Sequence, residues 1–584
     1  MRARGMKTAH ASRRGGRLAL LALGILVACL ALFLLPASST AQSSPKCRDK
    51  ITFDLSEKLK SASSDDLVPL IVLTTGEPSD PHITRLHGRG GLLKARHQAI
   101  HGYSASLPAS QVEVFADDPE VVHISYDSPV KAHMDVAYPA VKANAAYSDF
   151  GLSGSGVGIA IVDTGVATHP DLLRSRGSQQ VVEVEIVGHE AGLADYYGHG
   201  THVAGIINGN GASSTGPAFF RTFKGLAPGA QILSIRALSP DGTGYTSDII
   251  SGIDWAIKFQ KNYNIRVLNL SLGHPVFESY TTDPLCQAVR AANDAGILAV
   301  VAAGNDGAIG TGFGTIDSPG NEPSALTVGA LDDSGTVTTT DDVLAWYSSK
   351  GPSLVDFVVK PDLVAPGSHI VSLRDPGSYL DTNYHQFALK LGDYKIDPLN
   401  ATSDGLYYAL SGTSMAAPMV AGAAALLFQN DPSLNPATVK ARLMASAVKD
   451  SHLVFETGAG ELDVDAALKA SGYASSALSP QATLASDGNV YVQDTSLIWG
   501  SLWSLSLVWG GNKGLDYGIL LTDVSPDVLA ALSLVWGGKI GNESLIWNNA
   551  ITASGLIWGG QGCWLLSTSG SLVQSDSGVW GGKH

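Results

Sequence analysis

Between residues 135 and 470 the sequence alternates short, nearly continuous apolar segments with segments that have helical spacing. The first apolar segment is GVGIAIVD, which ends at Asp163, and AQILSIRAL, RVLNLSL, GILAVVAAGN and ALTVGAL follow it. Strands that are apolar on both faces are typical of parallel sheets covered by helices on each side. The pattern therefore predicts an α/β fold with a doubly wound parallel sheet, in which functional groups lie at the carboxyl ends of the strands.

The bulk composition excludes some classes of partner and site. Of the 584 residues, 45% are hydrophobic and 16% are charged, and the formal net charge is −15. Such an acidic chain lacks the basic surface that nucleic-acid binding requires, so we expect no nucleic-acid partner. The cysteines lie far apart, which argues against a zinc or redox motif built from them. They are Cys29, Cys47, Cys286 and Cys563.

The first 41 residues have the three-part layout of a secretory signal peptide. A basic segment, MRARGMKTAHASRRGGR, precedes an apolar run over residues 18–35, and Ser39-Thr40-Ala41 offers small residues for cleavage. We therefore predict an exported protein that is secreted or attached to the cell surface. The alternative is a retained anchor, because the apolar run approaches the ~20 residues that span a bilayer. Only in that case do we expect contact with a membrane.

Three segments contain residues that can carry chemistry. Asp163 ends an apolar strand, His199 lies between two glycines in YGHGTHVAGII, and Ser414 opens the helical segment in LSGTSMAAPMVAGAAALL. Taken singly, Asp163 could cap a turn, His199 and His202 could bind a metal, and Ser414 could cap its helix. Taken together, they supply the nucleophile, the base and the orienting acid that serine catalysis needs.

The segments DTG, GHGTHVAG and SGTSMAAP, in that order, resemble the signatures of the subtilisin-like serine proteases, or subtilases. The resemblance covers about residues 140–470 and implies a serine endopeptidase that acts on proteins or peptides. It implies that Ser414 forms the acyl-enzyme, that His199 is the general base and that Asp163 orients His199. The family needs no cofactor for this chemistry.

Two further segments match the family and imply where the substrate binds. VVAAGNDG places Asn305 where subtilases keep an asparagine whose side-chain amide helps to form the oxyanion hole. NLSLGHP resembles the strand that pairs with the substrate backbone. The substrate-binding residues implied by these segments are Ser271, Leu272, Gly273, Ala302, Ala303 and Gly304.

The resemblance also gives a role to the region before the catalytic domain, which we place at residues 135–470. Subtilases are commonly made with an inhibitory propeptide of ferredoxin-like fold, and residues 42–131 contain β-like runs around helix-compatible segments. We expect this α+β propeptide to be an intramolecular inhibitor that the protein itself cuts off between Ser128 and Asp135. The alternative is an independent small binding domain.

The resemblance implies one specificity residue and one candidate calcium ligand. Asp317, two residues before Pro319, matches the family position at the base of the pocket for the side chain that precedes the cut. A carboxylate there predicts a preference for Lys or Arg, with self-cleavage after Lys131. Asp171 matches one calcium ligand of the family, so structural calcium is expected only as a candidate. Residues 209–224 replace the loop that helps to bind this calcium in many relatives.

Three segments extend the compact family pattern. Residues 373–407 form an insertion before the nucleophile, which either shapes the cleft or remains a surface loop. Residues 471–495 are rich in Ser and Ala, and we predict a linker there. Residues 496–584 form a tail with eight of the ten tryptophans of the chain.

The tail repeats short apolar runs that end in Trp-Gly or Trp-Asn, with several tryptophans spaced by 10 or 11 residues. Fixed repetition of this kind predicts β-rich stacked hairpins or a small solenoid. The tryptophans could instead bind sugars or a cell surface. The alternative for the whole chain is therefore a surface adhesin whose main functional part is the tail. No run reaches ~18 apolar residues, so the tail is not predicted to span a membrane.

Overall fold

The computed structural model describes residues 50–509 with gaps, and six short strands beyond them. The gaps are 98–99, 128, 133–140, 174–180, 189–194, 309–311, 335, 397–399, 451, 485–489 and 494. The predicted signal peptide (1–41) and most of the tail lie outside the described residues. The described residues belong to one compact unit. None of their helices is long and apolar enough to cross a membrane.

Residues 50–126 form a small α+β module with a βαββαβ core. Its strands are β1 (Leu67–Thr74), β2 (Leu92–His97), β3 (Gly102–Pro108) and β4 (Val121–Tyr126). Its helices are α1 (Phe53–Ser61), α2 (Asp80–Gly88) and α3 (Ala109–Ala116). The strands pair in the antiparallel order β2-β3-β1-β4. This order is that of a ferredoxin-like fold, as expected for the propeptide.

The following domain is built on an eight-stranded, mostly parallel sheet. Its strands are β6 (Gly158–Asp163), β7 (Val181–Glu185), β8 (Gln231–Arg236), β10 (Ile265–Leu270), β12 (Leu298–Ala302), β13 (Leu326–Asp332), β14 (Val343–Leu344) and β15 (Leu363–Pro366). They lie in the order β14-β13-β12-β10-β6-β8-β7, with β15 beside β13. Only β14 among these described strands runs antiparallel to its neighbour. The sheet confirms the predicted α/β fold.

Helices cover both faces of this sheet. Those of the domain and the segments after it are α4 (Asn144–Ser148), α5 (His199–Asn208), α6 (Thr246–Lys258), α7 (Gln260–Tyr263), α8 (Pro284–Asp294), α9 (Tyr379–Asn383), α10 (Thr413–Asn430), α11 (Pro436–Ser446), α12 (Val454–Thr457), α13 (Val464–Lys469), α14 (Ser496–Trp499) and α15 (Leu505–Trp509). In β6, Ile159 and Ile161 join the hydrophobic cluster that contains α5 and α10. Ala160 and Val162 join the opposite cluster, which contains α6 and α8. The alternation shows why the strand is apolar throughout.

Residues that follow the small module enter a separate three-stranded antiparallel sheet. Strand β5 (Pro129–Ala132) lies between β9 (Thr243–Tyr245) and β11 (Leu272–Gly273). Ala132 pairs with Leu272 and Lys131 pairs with Gly273. On its other side, Val130 pairs with Gly244. The end of the predicted propeptide therefore adds a strand to the catalytic domain.

The insertion before Ser414 has its own secondary structure. Strands β16 (Ile370–Leu373), β17 (Ala388–Lys390) and β18 (Asp404–Leu410) form an antiparallel sheet in the order β16-β18-β17. The short helix α9 lies between β16 and β17. The insertion is therefore an ordered subdomain between two segments of the catalytic domain.

The described residues of 471–509 include side chains that pack against the catalytic domain, although a linker was predicted for 471–495. Strands β19 (Ala482–Leu484) and β20 (Val490–Val492) pair with each other. The Ser479 hydroxyl donates to Asp362 Oδ1 at 2.5 Å and accepts a bond from Lys440 Nζ at 2.8 Å. These partners are buried in the catalytic domain. The segment extends the domain through these buried hydrogen bonds and through buried side chains, among them Trp499 and Trp503.

The first two repeat units of the tail are helical, which differs from the predicted β-repeat. SLIWG begins with α14, and the first SLVWGG copy lies partly in α15. The side chains of Trp499, Trp503 and Trp509 are buried. Short strands occur further along the chain. They are β21 (Ile519–Leu520), β22 (Lys539–Ile540), β23 (Glu543–Ser544), β24 (Ile557–Trp558), β25 (Cys563–Leu566) and β26 (Leu572–Gln574).

Candidate active site

The structure brings Asp163 and His199 together at one end of the central sheet. Asp163 is the last residue of β6, and His199 is the first residue of α5. Nδ1 of His199 lies 2.8 Å from Asp163 Oδ1, and both side chains are buried. The backbone N–H of Thr164 also donates to Asp163 Oδ1, at 2.7 Å. The paired carboxylate can fix the orientation of the imidazole and stabilise its positive charge.

A second buried carboxylate, Asp195, fixes the start of the helix that carries His199. Asp195 Oδ1 accepts bonds from the Gly198 N–H and the Thr164 hydroxyl at 2.7 and 2.8 Å. Its Oδ2 accepts from the N–H and the hydroxyl of Thr201 at 2.8 and 2.7 Å. Burial raises the pKa of Asp195, and these hydrogen bonds oppose the rise. Neither Asp195 nor Thr164 is among the functional residues predicted from the sequence.

The two glycines that flank His199 allow close packing around it. Gly198 has a φ of 99°, a backbone conformation that would be strained in a residue with a side chain. A Cβ on Gly200 would lie 2.1 Å from the Gly165 carbonyl oxygen and 3.2 Å from Asp163 Oδ1. The α5 helix therefore approaches the end of β6 as closely as the Asp163–His199 bond requires.

Ser414 lies in the first turn of α10, the longest helix of the described domain. Its hydroxyl donates to the Ser271 carbonyl oxygen at 3.2 Å, and the Ser271 hydroxyl donates to the Ser414 carbonyl oxygen at 2.9 Å. The reciprocal bonds hold the start of the helix against the segment between β10 and β11. Backbone N–H groups in a first helical turn favour a developing negative charge.

Asn305 is held beside this helix start by Thr413. Its amide oxygen accepts bonds from the N–H and the hydroxyl of Thr413, both at 3.0 Å. Thr413 Oγ1 also lies 3.2 Å from both the nitrogen and the carbonyl oxygen of Gly304. Because the amide oxygen is occupied, the NH2 group of Asn305 is the end that can donate to a substrate oxyanion.

The residues predicted to bind substrate surround Asp317. A Cβ on Gly304 would lie 2.8 Å from Asp317 Oδ2, and a Cβ on Gly273 would lie 2.9 Å from Asp317 Cβ. The Asp317 N–H donates to the Ala303 carbonyl oxygen at 3.0 Å. Ala302 ends β12 and is buried. The structure therefore brings the predicted strand and pocket residues to one place.

Below Asp317, Ser318 connects the pocket to a buried thiol. The Ser318 hydroxyl donates to Asp283 Oδ2 at 2.6 Å. Cys286 Sγ lies 3.7 Å from the Ser318 hydroxyl oxygen and 3.1 Å from Asn321 Oδ1. Burial raises the pKa of the Cys286 thiol, and the charge of Asp283 adds to the rise. This thiol is therefore protonated in the folded protein.

Side-chain placement does not support the alternative in which His199 and His202 bind a metal. His202 Nε2 lies 3.2 Å from the Ile370 carbonyl oxygen and 3.1 Å from that of Tyr408. Burial, with a smaller effect of His199, lowers the pKa of His202 to about 3, so it stays neutral. Within the described part of the chain, no group of three or more His, Cys, Asp or Glu residues is placed to hold a metal ion.

The surroundings of Asp171, the candidate calcium ligand, do not fit a calcium ion. Asp171 is fully buried. Its Oδ1 accepts the Ser213 N–H at 2.8 Å, and its Oδ2 accepts the Tyr407 hydroxyl at 2.6 Å. The Tyr407 oxygen also lies 2.8 Å from the Ser214 hydroxyl. Hydrogen-bond donors thus occupy the carboxylate, whereas calcium requires oxygen acceptors around it.

Comparisons with known proteins identify two families in the chain. The model of the subtilase family matches residues 154–460, which is more than half of the chain, and that of the peptidase inhibitor I9 family matches residues 74–133. Serine protease AprX of Bacillus subtilis is 36% identical over 355 residues, covering 60% of this chain and 74% of that protein. An alkaline protease of Alkalihalobacillus alcalophilus is 32% identical over 437 residues, covering 73% and 93%.

The fold is also similar to a solved structure. The crystal structure of fervidolysin from Fervidobacterium pennivorans, a keratinolytic enzyme related to subtilisin, matches with a TM-score of 0.53 and 24% identity, over 70% of this chain and 61% of that chain. The comparisons confirm the predicted serine endopeptidase with an inhibitory propeptide, and they give no support to the adhesin alternative. The chain belongs to the subtilase family of serine endopeptidases.

Proposed function

We propose that Ser414 is the nucleophile of this endopeptidase, that His199 is its general base and that Asp163 orients His199. The Asp163–His199 bond, with Ser414 at a helix start, is the observation that carries this proposal. His199 takes the Ser414 proton as the hydroxyl attacks the peptide carbonyl, and then gives it to the leaving amine. Water releases the acyl-enzyme by the reverse sequence.

The negative charge on the attacked carbonyl oxygen needs donors already in place. We assign this role to the NH2 group of Asn305 and the backbone N–H of Ser414. Thr413 supports the assignment, because its two bonds to the Asn305 amide oxygen fix which end of the amide faces the substrate. Neither donor has to reorganise during the reaction.

For specificity, the placement of Asp317 supports a pocket that prefers Lys or Arg before the cut. Asp317 is 3% exposed and packs against the glycines of the two substrate-binding segments, Gly273 and Gly304. A carboxylate removed from water gains most from a cationic partner with good geometry. A basic substrate side chain that enters the pocket would pair with this carboxylate.

The register of β5 supports self-processing within residues 128–135, but not after Lys131. Lys131 pairs with Gly273, which lies two residues after Ser271, and Ala132 pairs with Leu272. The Ser271 carbonyl oxygen accepts the Ser414 hydroxyl. The register therefore favours a first cut after His133, a residue that lies outside the described ones.

One experiment tests these assignments together: purified precursor is incubated as wild type and as Ser414→Ala, followed by N-terminal sequencing. We expect wild type to yield a new N-terminus at Met134, and Ser414→Ala to stay uncut and to lose at least ~10⁴-fold in turnover. Peptides with Lys or Arg before the cut should be preferred over Phe or Leu. Asp317→Asn should lower kcat/KM for the basic peptides by about 10²-fold.

Each assignment has its own contrary result. A processed Ser414→Ala precursor would refute self-processing by Ser414. A new N-terminus at Ala132 would restore the cut after Lys131 and reject the register argument. Preference for Phe or Leu would remove the role of Asp317 without affecting the nucleophile.

For the rest of the chain, we propose export through the signal peptide (1–41), removal of the propeptide predicted at 42–131 together with the two residues up to the proposed cut, and a tail (496–584) that is accessory to proteolysis. The basic and apolar layout of the first segment supports export. The packing of residues 471–509 supports a catalytic unit that extends beyond the domain predicted for 135–470.

A further inference from the structure

The insertion before Ser414 contacts the loop that carries His199. The N–H of Tyr379 donates to the Tyr196 carbonyl oxygen at 2.8 Å, and the N–H of Leu380 donates to that of Tyr197 at 3.1 Å. Tyr196 and Tyr197 directly precede Gly198 and His199. The first turn of α9 therefore supports the two residues before the proposed base.

Aromatic packing adds to these backbone bonds. The rings of Tyr379 and Tyr197 stack with centroids 5.4 Å apart and planes at 9°. On the Gly242 side, the Tyr197 ring is so close that a Cβ on Gly242 would lie 2.5 Å from it. A Cβ on Gly198 would lie 2.6 Å from the Ser378 hydroxyl oxygen. The loop before His199 is thus held between the insertion and the segment before β9.

The same helix is bonded to the strand that leads to Ser414. The hydroxyl of Tyr408, in β18, donates to the carbonyl oxygens of Leu380 and Tyr384, at 3.0 and 2.6 Å. The strand ends at Leu410, four residues before Ser414. Residues 378–384, which we call the brace, therefore contact both the segment before the proposed base and the segment before the proposed nucleophile.

An ion pair anchors the brace. Arg374 and Asp381 form a bidentate pair, with Nε–Oδ1 at 2.6 Å and Nη2–Oδ2 at 3.0 Å, and both side chains are 8% exposed. The N–H of Gly377 also donates to Asp381 Oδ2, at 2.9 Å. The contacts fix the brace relative to β16, from which the insertion starts. The brace can therefore hold the segment before His199 at a fixed distance from the segment before Ser414.

We propose that the brace is a positioning element that sets the position of His199 relative to Ser414, with Tyr379 and Tyr408 as its positioning residues. The proposal rests on the roles assigned to His199 and Ser414. Proton transfer between them requires their reacting atoms within hydrogen-bond reach, and a misplacement of about 1 Å can cost ~10²-fold in rate. The backbone pairs along β9 and β11 do not involve residues 378–384, so we expect the brace to affect turnover more than substrate binding.

The test compares the kinetics of Tyr379→Ala, Tyr379→Phe and Tyr408→Phe. We expect Tyr379→Ala to lower kcat about tenfold or more, with KM within about twofold. Tyr379→Phe keeps the stacked ring and should retain wild-type kcat. Tyr408→Phe loses the two bonds to the brace and should lower kcat less than Tyr379→Ala. It also keeps the proposal testable if Tyr379→Ala does not fold.

The matched control is Tyr147→Phe. The Tyr147 hydroxyl donates to two carbonyl oxygens, those of Gly225 and Leu226, both at 2.6 Å, outside the brace. Thermal unfolding is measured for every variant, because a purely structural role would lower stability in Tyr147→Phe and Tyr408→Phe alike and leave kcat unchanged. Unchanged kcat in folded Tyr379→Ala and Tyr408→Phe, or equal loss in Tyr147→Phe, would overturn the proposal.

Labelling with a serine-directed phosphonate distinguishes a failure of the brace proposal from a failure of Ser414 as the nucleophile. Stoichiometric label on Ser414 in processed wild type supports the proposed nucleophile, and slower labelling of Tyr379→Ala supports the brace. Absence of label on Ser414 in wild type would refute the nucleophile itself. Normal labelling rates in both brace variants would refute only the brace.

Discussion

The insertion before Ser414 and the segment after residue 471 are both additions to the catalytic domain, but they are anchored differently. In the insertion, buried rings such as those of Tyr394 and Tyr407 are combined with a buried ion pair between Arg374 and Asp381. The other segment is held largely by buried apolar side chains. In such a comparison, burial of large apolar groups contributes the greater share of stability.

The segment after residue 471 docks through indole rings. Trp499 and Trp503 are 1% and 3% exposed, and their ring N–H groups donate to the carbonyl oxygens of Leu478 and Tyr473 at 2.7 and 3.3 Å. Lys449 Nζ donates to the Val508 carbonyl oxygen at 2.8 Å. We therefore expect changes in this addition to lower stability, and changes in the proposed brace to lower turnover.

The largest effect that tests this comparison is expected from Trp499→Ala. Removing the fully buried indole should lower the free energy of unfolding by about 3–5 kcal/mol. Turnover per folded molecule should stay unchanged, because the contact lies away from the insertion. Denaturant unfolding and active-site titration measure the two quantities.

Trp346→Ala is the matched control for Trp499→Ala, because Trp346 is 71% exposed. It should change the free energy of unfolding by no more than about 0.5 kcal/mol. Similar losses in the two variants would show that the docked segment contributes no special stability.

An intermediate effect is expected from Arg374→Gln, which tests the polar side of the comparison. It should lower the free energy of unfolding by about 1.5–3 kcal/mol at neutral pH and also lower kcat. Burial would raise the pKa of Asp381, but the bonds from Arg374 and Gly377 bring it below the ordinary 3.8. The stabilisation is therefore present above pH 3.8 and is lost as the pH falls through the lower folded pKa.

Urea unfolding of wild type and Arg374→Gln at neutral pH and in acid measures this difference. Lys469→Gln is the control, since Lys469 forms an exposed ion pair with Asp465 and should change nothing measurable. A gap between wild type and Arg374→Gln that stays constant into acid would contradict the role of the Asp381 charge.

The smallest effect is expected at Tyr407, where β18 meets Asp171. Tyr407→Phe leaves Asp171 Oδ2 without its hydroxyl donor and should cost about 1–2 kcal/mol. Hydrogen exchange in residues 209–224 should rise in the variant. A chelator should leave exchange in the same residues unchanged in wild type, and a chelator-induced rise would show that calcium binds there after all.

The short motifs around Asp163, His199 and Ser414 predicted that these residues lie at the ends of strands or helices. The prediction was possible because apolar strand-like and helix-like segments adjoin each residue in the sequence. The role of Asp195 was missed, since its partners come from a strand end and a helix start that are adjacent only in the fold. Its place three residues before Gly198 was the available signal, because acidic side chains cap helix starts.

The tail shows where periodicity alone is insufficient. SLIWG and SLVWGG are short apolar runs that fit a strand as well as a helical turn, and the repeat spacing favoured strands. In the described units, packing of α15 against α11 and burial of the rings select the helical form. The spacing of a sequence repeat does not predict which of its side chains are buried against distant parts of the chain.

Cys286, which contacts the Ser318 hydroxyl, can serve as a probe of local opening in the folded enzyme. Its thiol is fully buried and protonated, and alkylating reagents attack exposed thiolates. The rate at which Cys286 is alkylated under native conditions therefore reports how often the residues around it, Ser318 and Asn321 among them, open to the reagent. Local opening next to the proposed pocket residue Asp317 can thus be followed at a single sulfur atom, without any substrate.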